Sequence, residues 1–373
     1  MRFLHTADLH LGKQMNDLSL LQDQEYILRQ IVSIAERERA DAVLIAGDIY
    51  QRSAPQAEAV ALFDRFVCDL AGLGIKVIAI SGNHDSALRV SYFAPLVRSS
   101  GIYLSEAFEG RLQAVRLEDA HGEVFVWLLP FLRPSQVKRA LPEETIRSCQ
   151  DAVAAVLRQT PVDTGKRNIL LCHQFVTGCE TCDSEELAVG GLDNVDVSVF
   201  GDFDYVALGH IHKPQSVVRK TLRYAGSPLK YSFSEAAHKK SVSIIDMGEK
   251  GETDVRTVPL VPLHEVRIID GMLEDLMRGP YSEDYLWVTV HDELPPPDAR
   301  VELSVMYPNM LKFSVVNSRT KADLDVTASE RMENKTVLEL FEDFYRLQNN
   351  DQKPGEAHQR VMEKALTELE ERA

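Results

Sequence analysis

The sequence predicts an α/β fold: a sheet with parallel crossovers and flanking helices, then a small β/α unit and a C-terminal helical pair. Three observations carry this. Short β-rich apolar runs alternate with helix-length segments through the first half, the alternation moves toward period two after residue 215, and the character of the chain changes again near residue 260.

Taken in order, "FLHTA" is a strand candidate followed by a helical pattern near 21–39. "AVLIAG" precedes a second helical pattern near 55–71, and "KVIAISG" a third near 87–98. Runs this apolar and this short suit strands covered on both faces. "GIYL", "RLQAVRL" and "EVFVWLLP" are further strands, a helix is expected near 143–159, and "NILLCH" and "DYVALGH" are two more buried strands. From "QSVVRK" to "SVSIIDM" the pattern suggests antiparallel strands at the far side of the core. These elements make a first domain of residues 1–262. Residues 263–316 hold "GMLEDLMRG", "YLWVTVHDE" and "MLKFSVV" and form the small unit, and the polar stretch 317–335 reads as a linker. In 336–373 the first helix puts Val337, Phe341, Phe344 and Tyr345 on one face, with Thr336 and Glu339 at capping-box spacing. The second puts Met362, Ala365, Leu366 and Leu369 in register.

At 373 residues, with 45% hydrophobic and 26% charged residues, the chain has the composition of a globular protein of two or three domains. No apolar stretch approaches the roughly 20 residues of a membrane span, and "MRFLHTAD" lacks the apolar region of a signal peptide. A cytoplasmic protein is expected. The five cysteines, Cys68, Cys149, Cys172, Cys179 and Cys182, are few and odd in number, which suits a reducing compartment. "CETC" has metal-like spacing, but no second pair follows it, so an incidental role is favoured. A net charge of −16 repels polyanions. Any nucleic acid must therefore be attracted by bound cations, a local basic patch or a partner.

Polar residues recur at the ends of the apolar runs. Asp8 and His10 follow "FLHTA", Asp48 follows "VLIAG", Asn83 and His84 follow "VIAISG", His173 follows "NILLC", and His210 and His212 follow "YVALG". The carboxyl edge of an open α/β sheet is where sites form, so these groups should converge there. Each has an ordinary reading by itself: "GD" is a common turn, and a lone buried histidine is usually a hydrogen-bonded core residue. The set is more specific, because His5, His121, His238, His264, His291 and His358 share no such placement and are left as structural or surface residues. Two carboxylates, four imidazoles and one carboxamide suit Mn²⁺, Fe²⁺ or Zn²⁺. Seven ligands are too many for one ion. A pair of ions about 3.5–4 Å apart, bridged by a carboxylate, accommodates them and suits phosphate-ester hydrolysis.

The ordered series "DLH", "GD", "GNHD", a lone histidine after an apolar run, and "GHIH" is similar to the calcineurin-like metallophosphoesterase superfamily, whose motifs cover residues 1–247. More narrowly, "MRFLHTADLHLGK", "AGDIYQRSAP", "GNHDS", "GHIHKPQ" and "YAGSPLKYSFSE" resemble the SbcD family of bacterial double-strand-break repair exonuclease subunits. Leu9 stands where members often carry Trp, which leaves every ligand position filled.

The resemblance implies a β-sandwich flanked by helices, a capping domain at 263–316, and C-terminal helices that grip an SbcC-type coiled-coil ATPase. It implies two divalent ions, usually Mn²⁺, with Asp8, His10 and His212 on one, Asn83, His173 and His210 on the other, and Asp48 as the bridge. His84 then corresponds to the catalytic histidine, and Asp85 is placed to steady its ring. The implied activities are 3′–5′ exonuclease on double-stranded DNA ends and endonuclease on single strands and hairpins, in repair, recombination and replication. The assembly would be a homodimer within a heterotetramer, with no membrane. A small-molecule or phosphoprotein phosphoesterase would share the metal site, and a non-catalytic scaffold would share the fold. The cap and C-terminal helices count against the first, the intact ligand set and His84 against the second.

Overall fold

The buried apolar runs form two sheets. In the first, the strands Thr253–Pro259, Ser241–Met247, Arg2–Thr6, Ala42–Ala46, Lys76–Ile80 and Ile102–Leu104 lie side by side in that order. The four from Arg2–Thr6 onward are parallel, and the other two are antiparallel. The second sheet runs Gln215–Val217, Arg219–Tyr224, Tyr205–Gly209, Arg167–His173, Gly122–Leu129, Gln113–Asp119, with its inner four strands parallel. This computed structural model describes residues 1–185, 194–317, 341–342, 345–346, 353–355, 358 and 360–362.

Alternate residues on each strand point to opposite faces. Phe3, Leu44, Ile78 and Ile80 of the first sheet therefore share a dry layer with Val124, Val126, Ile169 and Leu171 of the second. On the outer face of the first sheet, the helices Leu21–Arg37 and Ala57–Gly72 bury Ile27, Ile31, Leu62, Phe66 and Leu70. The helix Cys149–Arg158 covers the second through Ala152, Val153 and Val156, and its start is held by a reciprocal Ser148–Asp151 capping box. Each buried Val, Leu, Ile or Phe among these contributes about 1.5–3 kcal/mol by leaving water, so the sandwich is a stiff base for whatever its edge carries.

Three local expectations are revised. The strand Arg219–Tyr224 pairs parallel to Tyr205–Gly209, whereas Ser241–Met247 crosses to the first sheet and lies antiparallel to Arg2–Thr6. The helix expected near 87–98 is instead two short helices, Ala87–Val90 and Ala94–Val97, and a 3₁₀ turn, Arg98–Ser100. Its apolar residues Leu88, Tyr92, Phe93 and Leu96 are exposed, so no packing holds it as one long helix. The helix near 143–159 begins only at Cys149, and a separate helix, Pro134–Ala140, precedes it with proline in its first turn.

The chain divides into two compact units. The first takes Met1–Ile269, Gly279–Val288 and Arg300–Phe313; the second takes Asp270–Arg278, Thr289–Ala299 and the described residues from Ser314 onward. In the second, the short helix Leu273–Met277 starts where Leu273 N donates to Asp292 at 2.7 Å, and His291 Nε2 meets Asp270 at 2.9 Å. Val266–Gly271, Tyr285–Val290 and Met310–Val315 make a three-stranded sheet in that order. Apart from Asn317 and the few described positions from 341 to 362, the expected linker and C-terminal helices lie outside the described residues. No helix among the described residues is long and apolar enough to cross a membrane.

Candidate metal centre

Parallel pairing sends the carboxyl ends of Arg2–Thr6, Ala42–Ala46 and Lys76–Ile80 to one edge of the first sheet. Arg167–His173 and Tyr205–Gly209 end together in the second. The sheets meet tightly there: His173 Nδ1 lies 2.7 Å from the Ala46 carbonyl oxygen, and His210 N donates to Asp8 Oδ1 at 2.9 Å. Glycine makes the approach possible. A Cβ on Gly209 would strike the Ala46 carbonyl, one on Gly47 the His173 ring, and one on Gly82 the Asp48 carboxylate. The glycines before Asp48, Asn83 and His210 are thus steric requirements of strand ends pressed together.

The chain turns sharply at the same points. Asp8, His10, Asp48 and His210 have φ of 53°, 44°, 49° and 100°, a left-handed backbone that costs L-residues roughly 1–2 kcal/mol each. Such strain gathers where a fold holds side chains for use.

All seven sequence-predicted donors come together, and His84 sits beside them. Asn83 Oδ1 lies 3.0 Å from His173 Nε2 and 3.1 Å from His210 Nδ1. His10 Nε2 and His212 Nε2 are 3.1 Å apart. Asp48 Oδ2 stands between the groups, 3.4 Å from His173 Nε2, 3.6 Å from His10 Nε2 and 4.0 Å from His84 Nε2. Asp8, Asp48 and His173 form one cluster able to hold a cation, and His10, Asp48 and His84 another, with Asp48 common to both. Asp8 Oδ2 is buried with no hydrogen-bond partner. A buried carboxylate oxygen left bare beside six nitrogen and oxygen donors fits divalent cations and fits little else.

The electrostatics separate the two carboxylates. Burial pushes Asp8 up to about 7, against the pull of His173 and His212. Burial would raise Asp48 too, but His173, His10 and His84 together hold it below the ordinary carboxylate range. His173 is raised to about 9: burial opposes its charge, and the carboxylates of Asp48 and Asp8 outweigh burial. His210 falls to about 3 through burial and the neighbouring His173, and burial also takes His10 well below its usual value. His10 and His210 are therefore neutral lone-pair donors at neutral pH, the state that binds metal.

One contact differs from expectation. Asp85 does not touch the His84 ring. Its carboxylate accepts from three backbone amides, Ile49 N at 3.0 Å, Tyr50 N at 2.9 Å and Gly82 N at 2.9 Å. It thereby ties the Asp48 turn to the Asn83 turn, and the His84 ring is held instead by the Gln51 carbonyl oxygen, 3.2 Å from Nδ1. Sequence reasoning also missed Glu235, Lys240, Gln24 and Tyr231. Gln24 Nε2 donates to the carbonyls of His10 and Leu9, at 2.8 Å and 3.3 Å, and Tyr231 OH to that of Leu9 at 2.5 Å. The one available signal was "YAGSPLKYSFSE", whose polar residues follow no strand period. The five cysteines are free thiols and belong to no metal-holding group among the described residues.

The calcineurin-like phosphoesterase family matches residues 1–214, and the family described as the Type 5 capsule protein repressor C-terminal domain matches residues 259–349. The SbcD subunit of the SbcCD nuclease of Staphylococcus epidermidis is 33% identical over 349 residues, covering 91% of this chain and 92% of that protein. Its counterpart in Staphylococcus saprophyticus is 31% identical over 352 residues, with the same coverage of 91% and 92%. A solved dimetal phosphatase from Danio rerio is 13% identical, with a TM-score of 0.43 over 70% of this chain and 98% of that one. The chain belongs to the calcineurin-like phosphoesterases and, within them, to the SbcD nuclease subunits. The cluster of aspartates and histidines is accordingly a dimetal phosphoesterase site.

Proposed function

We propose that the chain is the nuclease subunit of a DNA-end-processing complex, acting as 3′–5′ exonuclease on double-stranded ends and endonuclease on single strands and hairpins, with Mn²⁺ and an SbcC-type ATPase. The observation that carries the reading is the bare Asp8 Oδ2 within a buried set of N and O donors that share Asp48. Asp8, His10 and His212 hold one ion, Asn83, His173 and His210 the other, and Asp48 bridges, because a carboxylate alone in the set has two oxygens and a full charge to share. When bound, the two ions supply an activated water and neutralise the phosphate that a chain of net charge −16 would repel.

The chain's own contribution is placement. His84 Nδ1 donates to the Gln51 carbonyl, which turns Nε2 toward the centre, and its ring meets that of His10 edge-on at 4.9 Å. With its side chain 15% exposed, it can reach a phosphate oxygen and hold a proton for the leaving group. Asp85 acts at one remove, by locking the two turns that carry Asp48 and Asn83.

A second copy of the chain is the occupant of the patch Leu88, Tyr92, Phe93 and Leu96, whose side chains stand 57–75% exposed directly after the GNHDS turn. Pairing there would place two metal centres in one homodimer. The segment 263–316 serves as the cap, 336–373 as the ATPase-binding helices, and 317–335 as the linker between them. The location is cytoplasmic. Purified protein, with and without the ATPase partner, should degrade end-labelled duplex and hairpin DNA in Mn²⁺ and lose this activity in chelator. Failure to cut either substrate with Mn²⁺ and partner present would overturn the reading.

A further inference from the structure

His212 and His10 face each other across the centre, yet only one is braced. The Nδ1 of His10 is buried without a hydrogen-bond partner. The Nδ1 of His212 lies 3.2 Å from Oε1 of Glu235, a residue of no exposed surface. The Glu235 carboxylate is itself held from several sides: Ser184 Oγ donates to Oε1 at 2.6 Å, Tyr231 N at 3.2 Å, and the buried Lys240 ammonium pairs with Oε2. Lys240 reaches past it, donating to the carbonyl of His212 at 2.8 Å and to Ser227 Oγ at 2.7 Å. The backbone of His212 is gripped at its other end too, where its N donates to Glu185 Oε1 at 2.8 Å.

Building a Glu–Lys pair into an interior is costly, and two apolar residues would fill the same space more cheaply. Of the contacts the pair makes, the one with a ring nitrogen of His212 is the one that bears on the metal centre. A carboxylate on Nδ1 keeps the proton there, leaves the Nε2 lone pair facing inward, and makes Nε2 a stronger donor.

We infer that Glu235, countercharged by Lys240, is a positioning residue that fixes the tautomer and angle of His212 and thereby sets the affinity of one of the two metal positions. The inference rests on the proposed function, in that His212 is taken to be a ligand. Among the described residues Glu235 meets His212 and none of Asn83, His173 and His210, so the effect belongs to the ion that His212 serves and should leave the other nearly untouched.

The test is calorimetric titration of Mn²⁺ into the full-length wild type, Glu235→Gln and Glu235→Ala, each with a thermal melt. Wild type should take up two ions. In Glu235→Ala one of them should weaken about 10–100-fold, and in Glu235→Gln, which keeps an acceptor but loses the charge, about tenfold. A purely structural role would lower the melting temperature and leave the metal midpoints unchanged. Two ions in wild type and unaltered midpoints in folded Glu235→Gln would overturn the inference and spare the proposed function. Failure of wild type to bind two ions would overturn both. Should Glu235→Ala not fold, Glu235→Gln, of nearly the same size, decides alone.

Discussion

The strand Arg167–His173 ends in a buried charge cluster at each side of the sandwich, and the two are built on opposite plans. At its start, the buried Arg167 guanidinium meets both oxygens of Asp119, at 2.5 Å and 3.2 Å, and the carbonyls of Gly122 and Gly248 at 2.6 Å and 2.9 Å. The Met1 amino group lies 2.7 Å from the same carboxylate, so two cations of the chain's own face Asp119 and its charge is fully countered from within. At its end, His173 faces Asp8 and Asp48, two carboxylates among imidazoles that are positive only when they carry a proton. Each end leaves a buried atom without a hydrogen-bond partner, Arg167 Nε at the first and Asp8 Oδ2 here, but here the atom is anionic, and Asp8, His10, Asp48 and His210 take left-handed backbone. A cluster that serves stability balances its charge from within; one that serves chemistry leaves negative valence for an incoming cation, and strain is tolerated to keep it there.

Substitutions at the His173 end should therefore cost function before stability. Asp48→Asn keeps the acceptor for His84 N, 3.0 Å away, but removes the shared charge. It should lower nuclease turnover more than about a hundredfold, since loss of an outer partner of a ligand alone costs 10–100-fold. Calorimetry should show both ions weakened; if one binds as in wild type, Asp48 is not the bridge. His84→Ala should be smaller in reach and comparable in rate. Turnover falls about 10²–10⁴-fold, the usual worth of a positioned acid–base group, while both ions bind as before. Loss of metal in His84→Ala would move His84 from the chemistry to the ligand set and blur the contrast drawn here.

The sequence showed the edge of this site better than its depth. Asp8, His10, Asp48, Asn83, His173, His210 and His212 could be placed together because each ends or closely follows an apolar run, and parallel strands deliver those run ends to one edge. The alternation of strands and helices did not say that the runs divide between two sheets, because a run buried on both faces reads alike in either. The supporting shell was hidden for a different reason. Glu235 ends the short 3₁₀ turn Phe233–Glu235 and Lys240 lies just before the strand Ser241–Met247, so neither falls in a strand or helix period long enough to read, though both reach His212. Asp85 was misread because a carboxylate beside a histidine in sequence need not face it. Three amide donors at Ile49, Tyr50 and Gly82 take its lone pairs first.

At the Arg167 end the order reverses, and stability should suffer while metal binding does not. Asp119→Ala leaves a guanidinium 2% exposed without its counter-ion, and breaking a buried pair from one side costs about 3–5 kcal/mol. Retention of two carbonyl partners puts the expectation at the lower end, about 3 kcal/mol by urea unfolding at pH 7. Midpoints for Mn²⁺ should match wild type, and a shift in them would mean that the strand couples its two ends.

The smallest effect tests the same pair by acid. The hydrogen bonds from Arg167 hold the Asp119 carboxyl below the usual carboxylate range in spite of its partial burial. A carboxylate depressed on folding contributes stability that is fully present above its unfolded value, near 3.9, and that is lost as pH falls through the lower folded value. The stability gap between wild type and Asp119→Asn should therefore be constant from pH 7 to about 5 and narrow progressively below about 4. Urea unfolding of the two proteins at pH 7, 5 and 3 measures it, and other carboxylates cancel in the difference. A gap as wide at pH 3 as at pH 7 would mean that Asp119 acts through its shape and hydrogen bonds alone, and the self-balanced charge at this end would not be what stabilises it.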